Sequence, residues 1–290
     1  MTLFAQLLVN GLITGAIYSL LAVSFGIVYR STRVFHIALG AVYTASAYGM
    51  YVGKNAGLAI GVFTGLGVAI TLSLSIEWCI YRPFLKRRSS PGALLIASLG
   101  AYILIENLIA LLFGNEVKII HTGIEPSISI GSLILTRIQI IQFFIGILFL
   151  IGSIAAFKKS KFLKAAWAMG DELPLLEVLG LPVFRLREMI FCFSAILCAT
   201  ASMLVAYDVG VDPHVGLSAV LLGAVAVLVG GMDSLLGWIF AAFLLAELQS
   251  LAIWKFSAHW NDAISFALLI LVLLFKPVGL FAKEARIEER

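Results

Sequence analysis

Long apolar stretches separated by short polar intervals follow one another along almost the whole chain. A transmembrane helix needs about 20 consecutive apolar residues, with about 17 to 25 tolerated. The stretches with no charge or almost none are residues 4–29, 34–53, 58–80, 91–113, 132–157, 189–207, 215–232, 234–255 and 262–280. This pattern predicts an all-α polytopic membrane protein with about nine transmembrane crossings, within a range of about eight to ten.

One pair of stretches leaves two alternatives open. Residues 215–232 and 234–255 are separated only by Asp233, and Gly230 and Gly231 stand at the join. They form either two spans joined by a tight turn or a broken, partly re-entrant pair, which a membrane accepts only where protein shields the backbone. No linker rich in Pro, Gly or Ser interrupts the chain, so we expect a single transmembrane domain over residues 1–290.

Basic residues are concentrated on one side of the predicted topology. With nine crossings, 16 of the 20 Lys and Arg side chains lie on the side that carries the interval 158–187 and the carboxyl terminus. Because basic loops stay in the cytoplasm, we expect the amino terminus outside and the carboxyl terminus inside. The composition agrees with a membrane protein, since 12% of the residues are charged against about 25% in soluble domains. The net charge of +4 gives no reason to expect nucleic acid as a partner.

The longest polar interval, residues 158–187, contains its own helix signals. From Asp171 to Pro174 it has the acidic residues and the early proline of a helix start. Gly180 before Leu-Pro is a stop signal. We therefore predict a short cytoplasmic helix over about residues 171–180, which either docks on a partner or lies on the lipid headgroups. The leucines on this helix are Leu175, Leu176 and Leu179.

Polar residues inside the predicted spans supply a candidate site. Ser98, Tyr102 and Glu106 recur every four residues and so form one stripe on a helix, with Asn107 beside Glu106. An ionisable residue inside a span is costly and usually faces the bundle interior or a water-filled cavity. The stripe is therefore either the wall of a solute pathway or an interhelical hydrogen-bond network, and both alternatives stay open. The other candidates of this kind are His36 and Glu247.

Glycines at a spacing of four residues predict close helix packing. Small residues at this period let two helix backbones approach each other. The glycines concerned are Gly11 and Gly15 in the first stretch and Gly57, Gly61 and Gly65 in the third. We expect them to act in packing rather than in solute binding.

The sequence lacks motifs for catalysis and for metal or ATP binding. It has no G-x-x-x-x-G-K-[ST], no H-E-x-x-H, no G-x-S-x-G and no carboxylates paired at acid/base spacing. Cys79, Cys192 and Cys198 stand within or at the end of apolar stretches without a second ligand at metal-binding spacing. We therefore expect the cysteines to pack, and we expect no catalytic residue, metal or cofactor on this chain.

The chain resembles the permease subunits of branched-chain amino acid ABC importers nearly from end to end. The blocks that carry the resemblance are residues 7–12, 15–20, 81–83, 94–100, 106–107, 113–114, 229–234, 266–273 and 276–281. The family is found in the bacterial inner membrane. The resemblance implies a second permease subunit in a homo- or heterodimer, two ATP-binding cassette ATPases that bind the ATP, and an extracytoplasmic solute-binding protein.

The resemblance also implies a role for the helix near residues 171–180 as the coupling helix that docks on the ATPase. The residues that it assigns to this helix are Asp171, Pro174, Leu175, Leu176, Leu179 and Gly180. The family pattern is Glu-Ala-Ala, three residues, then Gly, and only Gly180 matches it here. The family block Asn-Phe-Ala-His-Gly-Glu corresponds to residues 36–41, which keep Ala38 and Gly40 but lose both polar positions.

These departures leave the solute open among branched-chain amino acids, related amino acids, short amides and urea. Two other functions compete with the importer. A stand-alone secondary transporter of a small polar solute usually has an internal repeat or discontinuous helices around a central site, and only residues 215–255 hint at a break. An intramembrane enzyme is disfavoured, since no catalytic constellation is present.

Overall fold

The computed structural model describes residues 2–121, 127–130, 133–171, 173–255 and 260–281. In this part the chain forms α-helices and one small β-hairpin. The helices are α1 (Thr2–Thr32), α2 (Leu39–Gly53), α3 (Leu58–Ile76), α4 (Arg82–Lys86), α5 (Pro91–Phe113), α6 (Arg137–Lys159), α7 (Lys161–Ala168), α8 (Leu173–Val178), α9 (Val183–Val209), α10 (Val215–Gly230), α11 (Leu235–Ala252) and α12 (Asn261–Phe275). A π-helical segment, Glu77–Tyr81, joins α3 to α4. The hairpin pairs β1 (Ser127–Ile130) with β2 (Leu133–Thr136) in antiparallel register.

Each of the predicted apolar stretches coincides with one helix of 15 residues or more. Among the described residues, six helices are long and apolar enough to cross a membrane. Three more that the sequence predicted as spans, α2, α10 and α12, are shorter, with 15, 16 and 15 residues. The prediction of an all-helical polytopic membrane protein is confirmed. The hairpin and the short helix α7 were not predicted.

The two stretches between residues 215 and 255 form separate helices joined by a tight turn. Gly231 ends α10 with a φ of +96°, a conformation that only glycine adopts without strain. Ser234 begins α11, since its hydroxyl accepts a hydrogen bond from the Gly237 N–H at 3.1 Å. The Trp238 indole donates to the Gly231 carbonyl at 2.8 Å. These bonds fix the turn and align α10 beside α11.

Side-chain contacts define two opposite ends of the bundle. At the first, which we call the Gln6 end, the Gln6 amide donates to the Ile134 carbonyl at 2.8 Å and accepts from the Ile134 N–H at 2.9 Å. At the second, which we call the Arg30 end, Arg30 forms ion pairs with Asp171 and Asp233. Since α1 joins Gln6 to Arg30, these two contacts lie at opposite ends of one long helix.

Backbone contacts assign later segments to the same two ends. The Ser250 hydroxyl donates to the Leu7 carbonyl at 2.6 Å, so α11 finishes at the Gln6 end. The Leu280 N–H donates to the Val229 carbonyl at 2.8 Å, so the segment after α12 lies at the Arg30 end. Helices α1 and α12 therefore run towards the Arg30 end, and α11 runs towards the Gln6 end.

Helix α1 is the centre of the bundle and packs against α6, α9, α10 and α11. Gly11 and Gly15 make this packing possible, because a Cβ on either would come within 2.5 Å of the Glu247 or the Phe243 side chain of α11. Gly61 plays the same part between α3 and α2, where a Cβ would lie 3.0 Å from the Met50 carbonyl. These three positions confirm the predicted packing role, whereas Gly57 borders open space.

Helices α2 and α10 begin inside the bundle, beside the middle of α5. Gly40 in the first turn of α2 and Gly216 in the first turn of α10 bring their backbones into contact. Tyr102, halfway along α5, lies against the same place, 3.1 Å from the position of a Cβ on Gly40. The start of each helix is thus held where no side chain larger than hydrogen fits.

We predict that Gly216→Ala lowers the free energy of unfolding by about 1 to 3 kcal/mol, the usual cost of overpacking. The added methyl would collide with the Gly40 carbonyl and the Thr44 hydroxyl. Thermal unfolding of the purified protein in detergent measures the effect. The matched control is Gly152→Ala on α6, which has no neighbour within 4 Å. Equal stability of the two variants would contradict the close contact of α2 with α10.

Candidate functional site

Ser98 and His36 belong to a buried hydrogen-bond network that joins α2, α5 and the π-helical segment. The Tyr81 hydroxyl donates to Ser98 Oγ at 2.7 Å and lies 2.7 Å from His36 Nδ1. Ser98 Oγ also accepts from the Ala38 N–H at 3.0 Å, just before α2 begins. His36 and Ser98 are fully buried. For these two residues, the geometry matches the network alternative that the sequence left open.

Tyr102 and Glu106 continue the stripe from this network towards the Gln6 end. Tyr102 is buried and packs against Ile37 and Ala41 at the start of α2. Glu106 lies beside the residue that precedes α10, with its Oε1 at 2.6 Å from His214 Nδ1. The His214 side chain is 58% exposed, whereas that of Glu106 is only 15% exposed. The stripe therefore runs from a closed network at Ser98 to a partly open hydrogen bond between Glu106 and His214.

Asn107 and Glu247 lie away from this stripe. Asn107 is exposed on the outer face of α5, where its amide donates to the Ile103 carbonyl at 2.7 Å. Its neighbours on that face include Leu104 and Leu111, which are also exposed. Glu247 lies on α11, with its carboxylate packed over Gly11 of α1. The structure thus brings together four of the six predicted pathway residues, His36, Ser98, Tyr102 and Glu106.

A buried ion pair between Glu77 and Arg187 was missed from the sequence. Arg187 Nε and Nη2 donate to the two carboxylate oxygens of Glu77 at 2.5 and 2.8 Å, and the two side chains are 3% and 1% exposed. Glu77 begins the π-helical segment that also contains Tyr81, so the pair and the network share one element. Glu77 was visible as a charge within an apolar stretch. Its partner, 110 residues away, carried no local signal.

The polar interval 158–187 forms two short helices rather than the single helix predicted over residues 171–180. Helix α7 starts at the Ser160 N-cap, and α8 covers only Leu173–Val178. Asp171 lies before α8 and pairs with Arg30 at 2.7 Å. Gly180 has a φ of +71°, in agreement with its prediction as a helix stop.

The leucines of this interval have different environments. Leu176, predicted on the docking face, is buried at 5% exposure in a cluster with Met169 and Val183. Its apolar side chain thus fastens α8 to the protein's own core. Leu179 and Val178 are 67% and 84% exposed. The side chains of Pro174 and Leu175 lie outside the described part of the structure.

The His, Cys, Asp and Glu side chains of the described residues form no metal centre. Within that part of the chain, no group of three or more His, Cys, Asp or Glu side chains could hold a metal ion. The three cysteines are free thiols, and Cys198 is buried with its Sγ 3.7 Å from the Leu39 carbonyl. The described residues thus form a helical membrane bundle with buried polar contacts at its centre and an interval of short helices at one end.

Comparison with known proteins identifies the family. The family model described as "Branched-chain amino acid transport system / permease component" matches residues 7–273. Two similar proteins are the high-affinity branched-chain amino acid transport system permease proteins BraD of Pseudomonas aeruginosa and LivH of Escherichia coli. Each is 26% identical, over 97% of this chain and 96% of its own length. The autoinducer 2 import system permease protein LsrC of Yersinia enterocolitica is 26% identical over 84% of this chain and 68% of its own length.

A solved structure supports the fold. The complex "PsaBC from Streptococcus pneumoniae in complex with Fab" contains a chain that superposes with a TM-score of 0.52 at 18% identity, covering 91% of this chain and 90% of that one. The chain belongs to the branched-chain amino acid transport system permease family. It is a permease component of an ABC importer, a membrane protein and not an enzyme, and the stand-alone secondary transporter is not supported. Permeases of such importers work with an ATPase and a solute-binding protein.

Proposed function

We propose that this chain forms one half of a transmembrane pathway for branched-chain amino acids in a bacterial inner membrane. The observation that carries the proposal is the family match over residues 7–273. Related amino acids, short amides and urea are the other solutes that this scaffold would accept. The complete importer would contain a second permease subunit, two ATP-binding cassette ATPases and an extracytoplasmic binding protein. Residues 1–290 act as one membrane domain.

We propose nine crossings, with the Gln6 end outside and the Arg30 end in the cytoplasm. An odd number of crossings fits the two ends, because α1 begins at the Gln6 end and the segment after α12 lies at the Arg30 end. The concentration of Lys and Arg in the loops at the Arg30 end supports the orientation. The lengths of α2 and α10 fit this proposal because both begin inside the bundle, where a full-length span is not needed.

We propose that Tyr102 and Glu106 border the solute pathway, and that His36 and Ser98 hold its wall in place. Glu106 supports this role because its side chain is 15% exposed, and because the more exposed His214 faces it from the segment before α10. Such a pair can exchange its internal contact for a solute group without exposing a bare charge to hydrocarbon. Asn107 and Glu247 are the remaining candidates for the pathway, and in the described part of the chain neither contacts this pair.

We expect Glu106→Gln to reduce ATP-driven uptake of radiolabelled leucine about tenfold. The variant loses a charge-assisted contact with His214, worth about 1.5 to 3 kcal/mol. Proteoliposomes that contain the permease with its companion subunits and binding protein provide the measurement. The matched control is Glu188→Gln on α9, whose carboxylate faces Arg82 instead. Normal uptake by Glu106→Gln would remove this residue from the pathway. No leucine uptake by the unaltered complex would contradict the proposed solute.

The surface that we propose for ATPase docking is the exposed end of α8. Val178 and Leu179 are large apolar side chains left in water at the end of the bundle that carries the basic loops. Leu176 supports the surface from beneath, since it anchors α8 to Met169 and Val183. The other occupant of this surface would be lipid headgroups beside the lysines of α7.

We expect Leu179→Glu to weaken ATPase binding about tenfold or more, since an exposed leucine that becomes buried contributes about 1.5 to 3 kcal/mol. Co-purification of the ATPase with the tagged permease measures this loss. The control is Val209→Glu at the Gln6 end, because Val209 is also 67% exposed. If both variants retain the ATPase equally, α8 is not the docking surface and the lipid alternative gains support.

A further inference from the structure

One buried arginine at the end of α1 joins three segments that are far apart in the sequence. Arg30 is 5% exposed, and its Nη2 donates to both carboxylate oxygens of Asp171 at 2.7 and 2.8 Å. Its Nε lies 2.5 Å from Oδ1 of Asp233. Asp171 belongs to the segment between α7 and α8, and Asp233 belongs to the turn between α10 and α11. A single guanidinium thus connects residues 167–171, which we call the coupling loop, to the end of α1 and to the start of α11.

Close packing around Arg30 also holds these three segments together. The Arg33 side chain donates from Nε to the Gly170 carbonyl at 2.9 Å. A Cβ on Gly170 would collide with the Arg30 carbonyl, so the backbone of the coupling loop lies directly on the end of α1. The Trp167 ring stacks on Trp238 of α11 with ring centres 5.5 Å apart. The Arg30 guanidinium lies 5.3 Å from the centre of the Trp167 ring.

The charge of Arg30 makes separation of these segments costly. A guanidinium stays protonated in proteins. Arg30 therefore remains charged although its side chain is buried. A buried charge that loses its partner is strongly destabilising, far more than the loss of an exposed ion pair. Withdrawal of Asp171 or Asp233 would leave Arg30 partly unpaired inside the bundle. The three segments are therefore expected to move together.

We propose that Arg30 is a positioning residue that makes residues 167–171, the end of α1 and the start of α11 one rigid unit. When the ATPase displaces the coupling loop, α1 and α11 then move together with it. Helices α1 and α11 carry it onward because the Gly11 and Gly15 contacts lock them together along their length. This inference rests on the proposed function in one respect only, the placement of the loop beside the ATPase.

Arg30→Gln tests the proposal in the reconstituted complex. We expect the amount of leucine taken up per ATP hydrolysed to fall about fivefold or more, while the companion subunits still co-purify. We also expect trypsin to cleave faster at Lys161 and Lys164 in the purified permease, because the loop is no longer held. The matched control is Arg87→Gln, an exposed arginine at the same end with no ion pair among the described residues. An unchanged ratio and unchanged cleavage would overturn the proposal.

A covalent link in place of the Arg30 ion pairs distinguishes a rigid unit from a contact that must open during transport. The variant combines Arg30→Gln, Cys79→Ser, Asp171→Cys and Asp233→Cys. A short, reducible thiol reagent then bridges positions 171 and 233. We expect bridging to restore the uptake per ATP and the resistance to trypsin, and reduction to abolish both. If the bridged complex is inactive although resistant to trypsin, the segments must separate during transport and the rigid unit is wrong. If the unaltered complex takes up no leucine, the proposed solute fails, while the trypsin measurements still decide whether the unit is rigid.

Discussion

The close approach of helix α1 to its neighbours is the constraint on which the rest of this structure depends. Lipid tails are as apolar as the side chains, so helices in a membrane associate through tight packing and internal hydrogen bonds rather than through exclusion of water. Gly11 and Gly15 let the side chains of α11 reach the α1 backbone. Gly40 and Gly216 let the backbones of α2 and α10 approach each other, and the starts of these two helices meet beside Tyr102. The glycines thereby determine where the polar side chains of the site can lie.

Polar groups inside the bundle are paired over long sequence distances. Glu77 meets Arg187 in a bidentate contact, and Tyr81 links His36 to Ser98. Both sets include the π-helical segment, and such segments often occur at functional sites. Because hydrocarbon offers no partner for a charge, these contacts fix the relative positions of α2, α5 and α9. The pathway proposed along Tyr102 and Glu106 borders this fixed wall.

The apolar stretches sufficed to predict the helical membrane fold, because length and composition alone decide which segments can cross a bilayer. Helix spacing also predicted the stripe of Ser98, Tyr102 and Glu106 correctly as one face of α5. Asn107 was placed with this stripe, yet one residue along a helix turns the side chain by about 100°, and Asn107 faces outwards.

Other features depended on tertiary contacts that no local pattern reveals. Leu175, Leu176 and Leu179 were treated as equivalent on the coupling helix, but burial of Leu176 depends on Met169 and Val183 in three dimensions. Asp171 was expected inside the helix as a favourable first-turn acid, whereas the structure uses it to pair with Arg30, 141 residues away. Similarly, the prediction of topology counted Arg30 and Arg187 as charges of the loops. In the structure, both are buried in specific ion pairs.

The proposed topology has nine crossings, three of them made by the shorter helices α2, α10 and α12, with the Arg30 end in the cytoplasm. Single cysteines at Asn55, Lys159, Trp260 and Val278, in a chain without its native cysteines, test it directly through labelling of intact cells with an impermeant maleimide. These residues are exposed at the Gln6 end (Asn55 and Trp260) or at the Arg30 end (Lys159 and Val278). With the proposed topology, we expect labelling of the first pair in intact cells and of the second pair only after permeabilisation. Labelling of Lys159→Cys from outside, or of Trp260→Cys and Val278→Cys from the same side, would contradict it.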